Sequence, residues 1–146
     1  MGRTTTLYSV DRETVLAFIE AEDLSFDTRS SVGLDKAMPV LSYLIGSDAG
    51  ERSLYYSECL ELGDAALRGF LPEDAVMFLR RIQDKTVSKR LADVDWQAEI
   101  AGQIYPFRQD DTKQECVSYI SHFEKAMESC FARLVERGHG MITVEA

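Results

Sequence analysis

The sequence contains few residues of the kinds that build disulfides or metal sites. Three cysteines, Cys59, Cys116 and Cys130, occur among 146 residues, and an odd, widely spaced set predicts neither a disulfide framework nor a metal-binding pair. The two histidines, His122 and His139, are separated by about four helical turns, which is too far for a shared metal site on one helix. We therefore predict solvated surface histidines, no metal site and no cofactor.

Long hydrophobic runs and positive charge are also scarce. No run approaches the roughly 20 apolar residues of a membrane-spanning helix, and the first residues lack the apolar segment of a signal peptide. The sequence has 16 lysines and arginines against 25 aspartates and glutamates, a formal net charge of −9. This deficit argues against binding to nucleic acid or to an anionic membrane surface. The sequence predicts a cytoplasmic protein whose charge either attracts a basic partner or simply maintains solubility.

The motifs of common catalytic sites are missing as well. There is no nucleophile elbow, phosphate-binding P-loop, dinucleotide fingerprint or zinc spacing. Carboxylates are plentiful, but their positions in the sequence single out no pair for acid–base chemistry. We accordingly assign no catalytic residue, and we expect most of these carboxylates at solvated helix ends and in loops.

The clearest pattern that is present is a long amphipathic helix over residues 112–137. Thr112 and Glu115 have the spacing of a capping box, in which each side chain binds a backbone N–H that would otherwise lack a partner. Gly138 follows the last turn and favours termination there. Apolar residues recur at steps of four and three, so they share one face, which we expect in the core. That stripe consists of Cys116, Ile120, Phe123, Met127, Cys130 and Leu134.

The remaining patterns predict a single, helix-dominated α+β domain over residues 1–146. Residues 4–10 and 141–145 predict a strand near each end, and we expect both in one small sheet covered by helices. Segment 23–33 is predicted as a loop and 63–69 as a loop or a single turn, and 53–62 is ambiguous, with a strand-like alternation. The second predicted helix either begins near Asp35 or bends at Pro39. Besides the long helix, the predicted helices are 12–22, 34–45, 72–84, 87–93 and 95–103.

Several short motifs make the chain similar to a known bacterial family. In chain order they are Leu34-Asp35-Lys36-Ala37 followed by Leu41, Tyr43 and Leu44, then Leu71-Pro72-Glu73-Asp74-Ala75-Val76, Tyr105-Pro106, the long helix and a strand over 140–144. With these segments in this order, the chain resembles the YfbM-like family, a domain family of unknown function, over nearly its whole length. The resemblance implies a compact α+β fold and no particular activity. The family pattern has tryptophan and histidine where this chain has Met38, Pro39 and Ser42, so histidine chemistry there would be absent.

Composition favours a binding protein over an enzyme. We predict a non-catalytic acidic protein that neutralises or regulates a basic partner protein, such as a toxin, in the manner of small acidic immunity proteins. Acidic segments with aromatic residues beside them are the predicted contact surface, because aromatic side chains supply much of the contact energy at interfaces. The residues of this predicted surface are Tyr55, Tyr56, Glu58, Glu61, Asp64, Asp93, Asp95, Trp96 and Glu99.

Two other functions are consistent with the sequence. Opposite charges at Asp35 and Lys36 flank the start of an apolar helix, and Tyr105 lies in a loop before a proline. These three residues are the candidates for a pocket in a small-molecule-binding protein or an enzyme. The simpler explanation of Asp35 and Lys36 is a local cap beside a solvated lysine. A regulatory domain that dimerises through a helix face is the third hypothesis.

Overall fold

The architecture comes from a computed structural model that describes residues 3–47, 59–104 and 106–146. The strands form one antiparallel sheet in the order β2-β1-β5-β4-β3. In chain order, the elements are β1 (Thr5–Val10), α1 (Arg12–Ala21), β2 (Ser31–Gly33), α2 (Met38–Ser47), β3 (Cys59–Leu62), β4 (Ala65–Phe70), α3 (Pro72–Asp84), α4 (Val87–Ala92), a π-helical turn (Trp96–Ile100), α5 (Lys113–Arg137) and β5 (Gly140–Glu145). Helical residues make up 52% of the described chain.

The strands nearest the two ends of the sequence lie side by side in the sheet. β5 pairs with β1 on one side and with β4 on the other, so β5 is the central strand. Leu7 lies opposite Thr143 in the first pair, and Leu67 lies opposite Val144 in the second. The predicted α+β class, with both terminal strands in one sheet and at least half of the residues helical, is confirmed.

The two faces of the sheet are covered by different helices. Successive side chains of a strand point to opposite faces. Met141 of β5 accordingly joins the larger core, which includes residues of α2, α3, α4 and α5. The next residue, Ile142, joins a smaller core on the other face with Val15 and Phe18 of α1. The sheet is therefore a middle layer between α1 and the remaining helices, and α5 lies on the face with the larger core.

Helix α5 has the boundaries that its sequence predicts. Thr112 accepts a hydrogen bond from the backbone of Glu115, and Glu115 accepts one from the backbone of Thr112, so the capping box is present. At the other end Gly138 has φ 66°, and His139 N donates to Leu134 O at 2.8 Å. Helices commonly end in this way, with a glycine in the left-handed conformation and a hydrogen bond from the next residue to a carbonyl group of the last turn. Asp11 likewise caps α1 as predicted, accepting from Thr14 N at 2.8 Å.

Two segments predicted as loops contain strands. Residues 63–69 include most of β4, and the end of 23–33 forms β2, whose Val32 pairs with Leu7. β4 lacks β-branched residues, and its Gly69 suggests a turn. The glycine has a packing reason instead, because a Cβ atom at Gly69 would lie 2.8 Å from Phe18 Cδ1 of α1. The ambiguous segment ends in β3, and residues 53–58 lie outside the described part.

Two predicted helices start later or are shorter than expected. α2 begins at Met38, with Pro39 in its first turn, where a missing backbone N–H costs nothing. Residues 34–37 form a turn instead, in which Ala37 N donates to Leu34 O at 2.9 Å. The prediction of helix over 95–103 reduces to the π-helical turn, capped by Asp95, which accepts from Ala98 N. The helices predicted at 12–22, 72–84 and 87–93 are confirmed to within a residue.

Candidate functional site

An open groove runs along the N-terminal half of α5. It consists of two adjoining pockets, of about 350 and 680 Å³, which share Glu115 and Tyr119. We call it the α5 groove. Its lining residues are Asp35, Lys36, Pro106, Phe107, Asp111, Thr112, Gln114, Glu115, Ser118, Tyr119, His122 and Phe123.

One end of the groove is built around Asp35. Its backbone has φ 44°, the left-handed region that costs most residues energy and that aspartate tolerates better than most. The backbone is held there because Asp35 O accepts from Thr5 N of β1 at 2.9 Å. Tyr119 donates from its hydroxyl group to Asp35 Oδ2 at 2.5 Å and accepts from Lys36 N at 3.1 Å. These hydrogen bonds hold the turn before α2 against both β1 and α5.

The floor of the groove is a chain of aromatic rings. Phe107 lies between Trp96 and Tyr119, with ring centroids 5.7 and 6.1 Å apart, and Tyr119 lies 5.3 Å from Phe123. His122 packs edge-on against Phe123 at 5.0 Å. These separations and tilts are those of favourable aromatic pairs. Since Trp96 is buried and its Nε1 donates to Asp111 O at 2.9 Å, the floor is anchored in the protein interior.

Negative charge prevails around this aromatic floor. Three carboxylates, those of Asp35, Asp111 and Glu115, line the groove pocket that holds one cation, Lys36. Asp111 Oδ2 accepts from Arg108 N at 2.7 Å, and Glu115 completes the capping box, so both side chains are oriented by the backbone. A carboxylate can accept about four hydrogen bonds, so each retains acceptor capacity toward a ligand. The groove therefore offers aromatic edges and faces together with positioned acceptors.

The acidic surface predicted from the sequence is divided among several elements. Glu61 lies on β3, Asp64 in the turn before β4, and Asp93 after α4, and all three are exposed. Trp96 is only 8% exposed and offers a partner little area. Glu99 accepts from the Tyr43 hydroxyl group at 2.7 Å and from Asp95 N at 2.6 Å, so it supports the fold locally. Lys85 is paired with Asp93. Tyr55, Tyr56 and Glu58 lie outside the described residues.

The predicted pocket near Asp35 and Lys36 coincides with one end of the α5 groove. Tyr105, the third residue predicted for it, lies outside the described residues. The sequence interpretation missed Tyr119, His122 and Asp111, and it placed Phe123 fully in the core, whereas Phe123 is half-buried at the groove. The sequence contains a signal for these residues, because Glu115, Tyr119 and His122 recur at steps of four and three next to the apolar stripe.

The histidines are not alike in their surroundings. His122 is exposed at the groove, as predicted for a surface histidine. His139 is half-buried, and its Nδ1 lies 2.9 Å from Ser9 Oγ, so its predicted solvated state is wrong.

Across residues 3–47, 59–104 and 106–146, no three histidine, cysteine or acidic side chains are grouped to hold a metal ion. Within the same ranges, no helix combines the length and hydrophobicity needed to cross a membrane.

The fold and the groove define a small α+β domain with an open, acidic and aromatic groove along its longest described helix. Among solved structures, the chain is similar to YfbM from Escherichia coli, a protein of unknown function, with a TM-score of 0.66. The match covers 98% of this chain and 99% of that chain at 15% identity. At that identity the likeness establishes the fold, and the expected YfbM-like architecture is confirmed. No protein-family model and no curated protein matches the sequence.

Proposed function

We propose that this protein is a non-catalytic binding protein that takes up a basic segment of a partner protein in the α5 groove. The observation that carries the proposal is that three carboxylates, those of Asp35, Asp111 and Glu115, line the same open pocket as the aromatic rings of Phe107 and Tyr119. A lysine or arginine side chain fits such a site, because its cation is attracted by aromatic rings and by carboxylates while its apolar stem packs on the rings.

The charge of the whole molecule acts in the same direction. With a net charge of −9, the protein attracts a basic partner at long range, which raises the association rate at low salt. The groove then supplies the short-range contacts. Occlusion of a basic surface would neutralise or regulate the partner, and a basic toxin is a partner of this kind.

A second candidate function is the binding or conversion of a small organic cation. The observation that favours it is the pocket of about 350 Å³ at Asp35, which is within the size range of small-molecule sites. The left-handed backbone of Asp35 adds to this, since strained residues cluster at ligand sites. Asp35 and Tyr119 would contact the ligand in this case. Turnover of a metabolite by the purified protein, lost in a folded Asp35→Asn variant, would replace the binding-protein proposal.

The test uses isosteric changes that remove charge and preserve the local hydrogen bonds. The groove variant combines Asp35→Asn, Asp111→Asn and Glu115→Gln, because asparagine tolerates the left-handed backbone and glutamine maintains a capping box. The matched control combines Glu61→Gln, Asp64→Asn and Asp93→Asn, which remove the same charge from the surface predicted from the sequence. Oligolysine and oligoarginine peptides are the probes, and single N-acetylated lysine and arginine amides represent a small cation.

Binding is followed through two reporters that the chain provides. Trp96 is the single tryptophan and contacts Phe107, and His122 lines the groove. We expect the peptides to shift the His122 proton resonances, and we expect the groove variant to bind about tenfold more weakly than the control variant. Equal losses of peptide affinity in both variants would show that binding depends only on long-range attraction by the net charge. A loss confined to the control variant would move the interface to the sequence-predicted surface, and either result rejects the groove.

A further inference from the structure

A second cavity, of about 230 Å³, lies at the other end of α5, between its last turns and the β1–β2 edge of the sheet. Three arginines line it: Arg29 from the loop before β2, and Arg133 and Arg137 from α5. No acidic residue belongs to its lining among the described residues. We call it the arginine pocket. In a chain with a net charge of −9, three of its 16 basic residues meet at one cavity.

This clustering is more than the usual enrichment of basic residues at a helix end. Arg133 and Arg137 follow each other by one turn near the C-terminus of α5, where the helix dipole favours positive charge. The dipole accounts for these two residues, although like charges at this spacing repel each other. It does not account for Arg29, which comes from a separate segment and adds a third positive charge.

Hydrogen bonds orient several polar groups of the pocket, and Arg29 lies at its rim with a side chain that is 91% exposed. Arg137 Nη1 donates to Ser30 Oγ at 3.4 Å, and Ser9 Oγ is 2.9 Å from His139 Nδ1. Arg29 donates from Nε and Nη2 to the exposed Asp27, whose pKa this side chain lowers to about 2. Asp27 thus orients the Arg29 guanidinium group and offsets part of its charge. A guanidinium has five N–H donors, so Arg29 retains donors beyond those that Asp27 uses.

We propose that the arginine pocket binds the phosphate group of a small phosphorylated molecule. Guanidinium groups bind phosphate through paired, charge-assisted hydrogen bonds, and a tetrahedral phosphate presents oxygens toward donors that approach from several directions. Ser30 and Ser31 add hydroxyl donors at the same cavity. Its volume is below the roughly 300 Å³ at which sites for whole drug-sized ligands begin, so it suits one anionic group with the rest of the ligand outside. This site is separate from the α5 groove and does not depend on its function.

The two histidines allow the two sites to be told apart in one experiment. His139 contacts Ser9 of the arginine pocket, whereas His122 lines the α5 groove. The protein is titrated with inorganic phosphate and with glycerol phosphate at constant ionic strength, with acetate and chloride as comparisons. We expect both phosphates to shift the His139 proton resonances saturably and to leave those of His122 unchanged. Acetate that binds as tightly as phosphate, or shifts at His122 instead, would reject the phosphate assignment.

Three sets of variants test the residues. Arg133→Gln with Arg137→Gln is expected to weaken phosphate binding tenfold or more, since charge-assisted hydrogen bonds are lost. The control pair, Arg80→Gln with Arg108→Gln, removes the same charge from exposed arginines outside the described pockets and should change affinity little. Asp27→Asn releases Arg29 and should strengthen binding several-fold. Thermal unfolding verifies that each variant is folded. Equal losses in the two arginine pairs, or weaker binding by Asp27→Asn, would overturn the proposal.

Discussion

The hydroxyl group of Tyr119 lies 2.5 Å from a carboxylate oxygen of Asp35, a residue 84 positions earlier in the chain. This contact holds the left-handed turn before α2 against α5 and forms one wall of the α5 groove. The same hydroxyl group accepts from the backbone of Lys36. The hydroxyl oxygen of Tyr119 therefore contributes both to the shape of the groove and to the stability of the fold.

Removal of this hydroxyl group should have a measurable cost. Tyr119→Phe leaves the Lys36 N–H and the Asp35 carboxylate without that partner, so we expect the free energy of unfolding to fall by about 1–2 kcal/mol. Denaturant unfolding measures the change. Tyr8→Phe is the matched control, because the Tyr8 hydroxyl group has no hydrogen bond within the described part of the chain. Equal effects of the two variants would mean that the Asp35–Tyr119 bond contributes nothing specific.

Two phenylalanines of α5 should differ strongly in their contribution to stability. Phe131 is completely buried, and we expect Phe131→Ala to cost about 3–5 kcal/mol because it removes buried apolar area and leaves a cavity. Phe123 belongs to the apolar stripe that the sequence places in the core, which would imply a similar cost for Phe123→Ala, but Phe123 is half-buried at the groove. We now expect about half the cost of the Phe131 substitution. Urea denaturation of both variants measures the two losses in the free energy of unfolding. Equal losses would place Phe123 in the core.

Because the Cys116 thiol is buried, we expect the free energy of unfolding to depend on pH in the alkaline range. Burial raises the pKa of the Cys116 thiol to about 12, from 9.0 for an unperturbed thiol. Above pH 9.0 the unfolded chain loses this proton while the folded chain retains it, so stability falls as the pH rises toward about 12. We expect a shallower fall in Cys116→Ala, which lacks the group, in parallel measurements of the unfolding free energy. Identical slopes would show that Cys116 does not contribute.

Thiol labelling tests the same burial in a second way. In a Cys59→Ser background the remaining thiols are Cys116 and Cys130, which are both buried and whose pKa values are both raised by burial. The thiolate is the reactive form, so both should resist thiol reagents until the protein unfolds. Rapid labelling of both in the folded protein would put the apolar stripe of α5 in solvent.

Because α1 packs closely on the sheet at Gly69, we expect a larger side chain at this position to destabilise the protein. Gly69→Ala places a methyl group 2.8 Å from Phe18 Cδ1, so α1 or the strand must shift, and we expect a loss of about 1–3 kcal/mol. Gly33→Ala is the control, because nothing lies within 4 Å of a Cβ atom there. Thermal unfolding of the pair compares them directly. A neutral Gly69→Ala would show that the interface between α1 and β4 is loosely packed.

Prediction from the sequence succeeds here where the deciding interactions are local. The capping box of Thr112 and Glu115, the terminal Gly138 and the Asp11 cap join residues within one turn of each other, and all are present. The charges of Asp35 and Lys36 near a predicted helix start single out these two residues in the sequence, and a ligand site there stays a prediction. The contact between Tyr119 and Asp35 was not predictable, because the two side chains meet only after α5 packs beside the turn.

The sequence by itself determined the long helix, the helices capped by Asp11 and begun by Pro72, and the two terminal strands, because their periodicity and end signals lie within each segment. Tertiary structure alone decided that residues 65–70 form a strand. Their alanines and glycine favour no strand, but pairing with β5 satisfies their backbone groups, and Gly69 makes room for Phe18. It also decided the two candidate sites, since each joins side chains from distant segments that only the packed chain brings together.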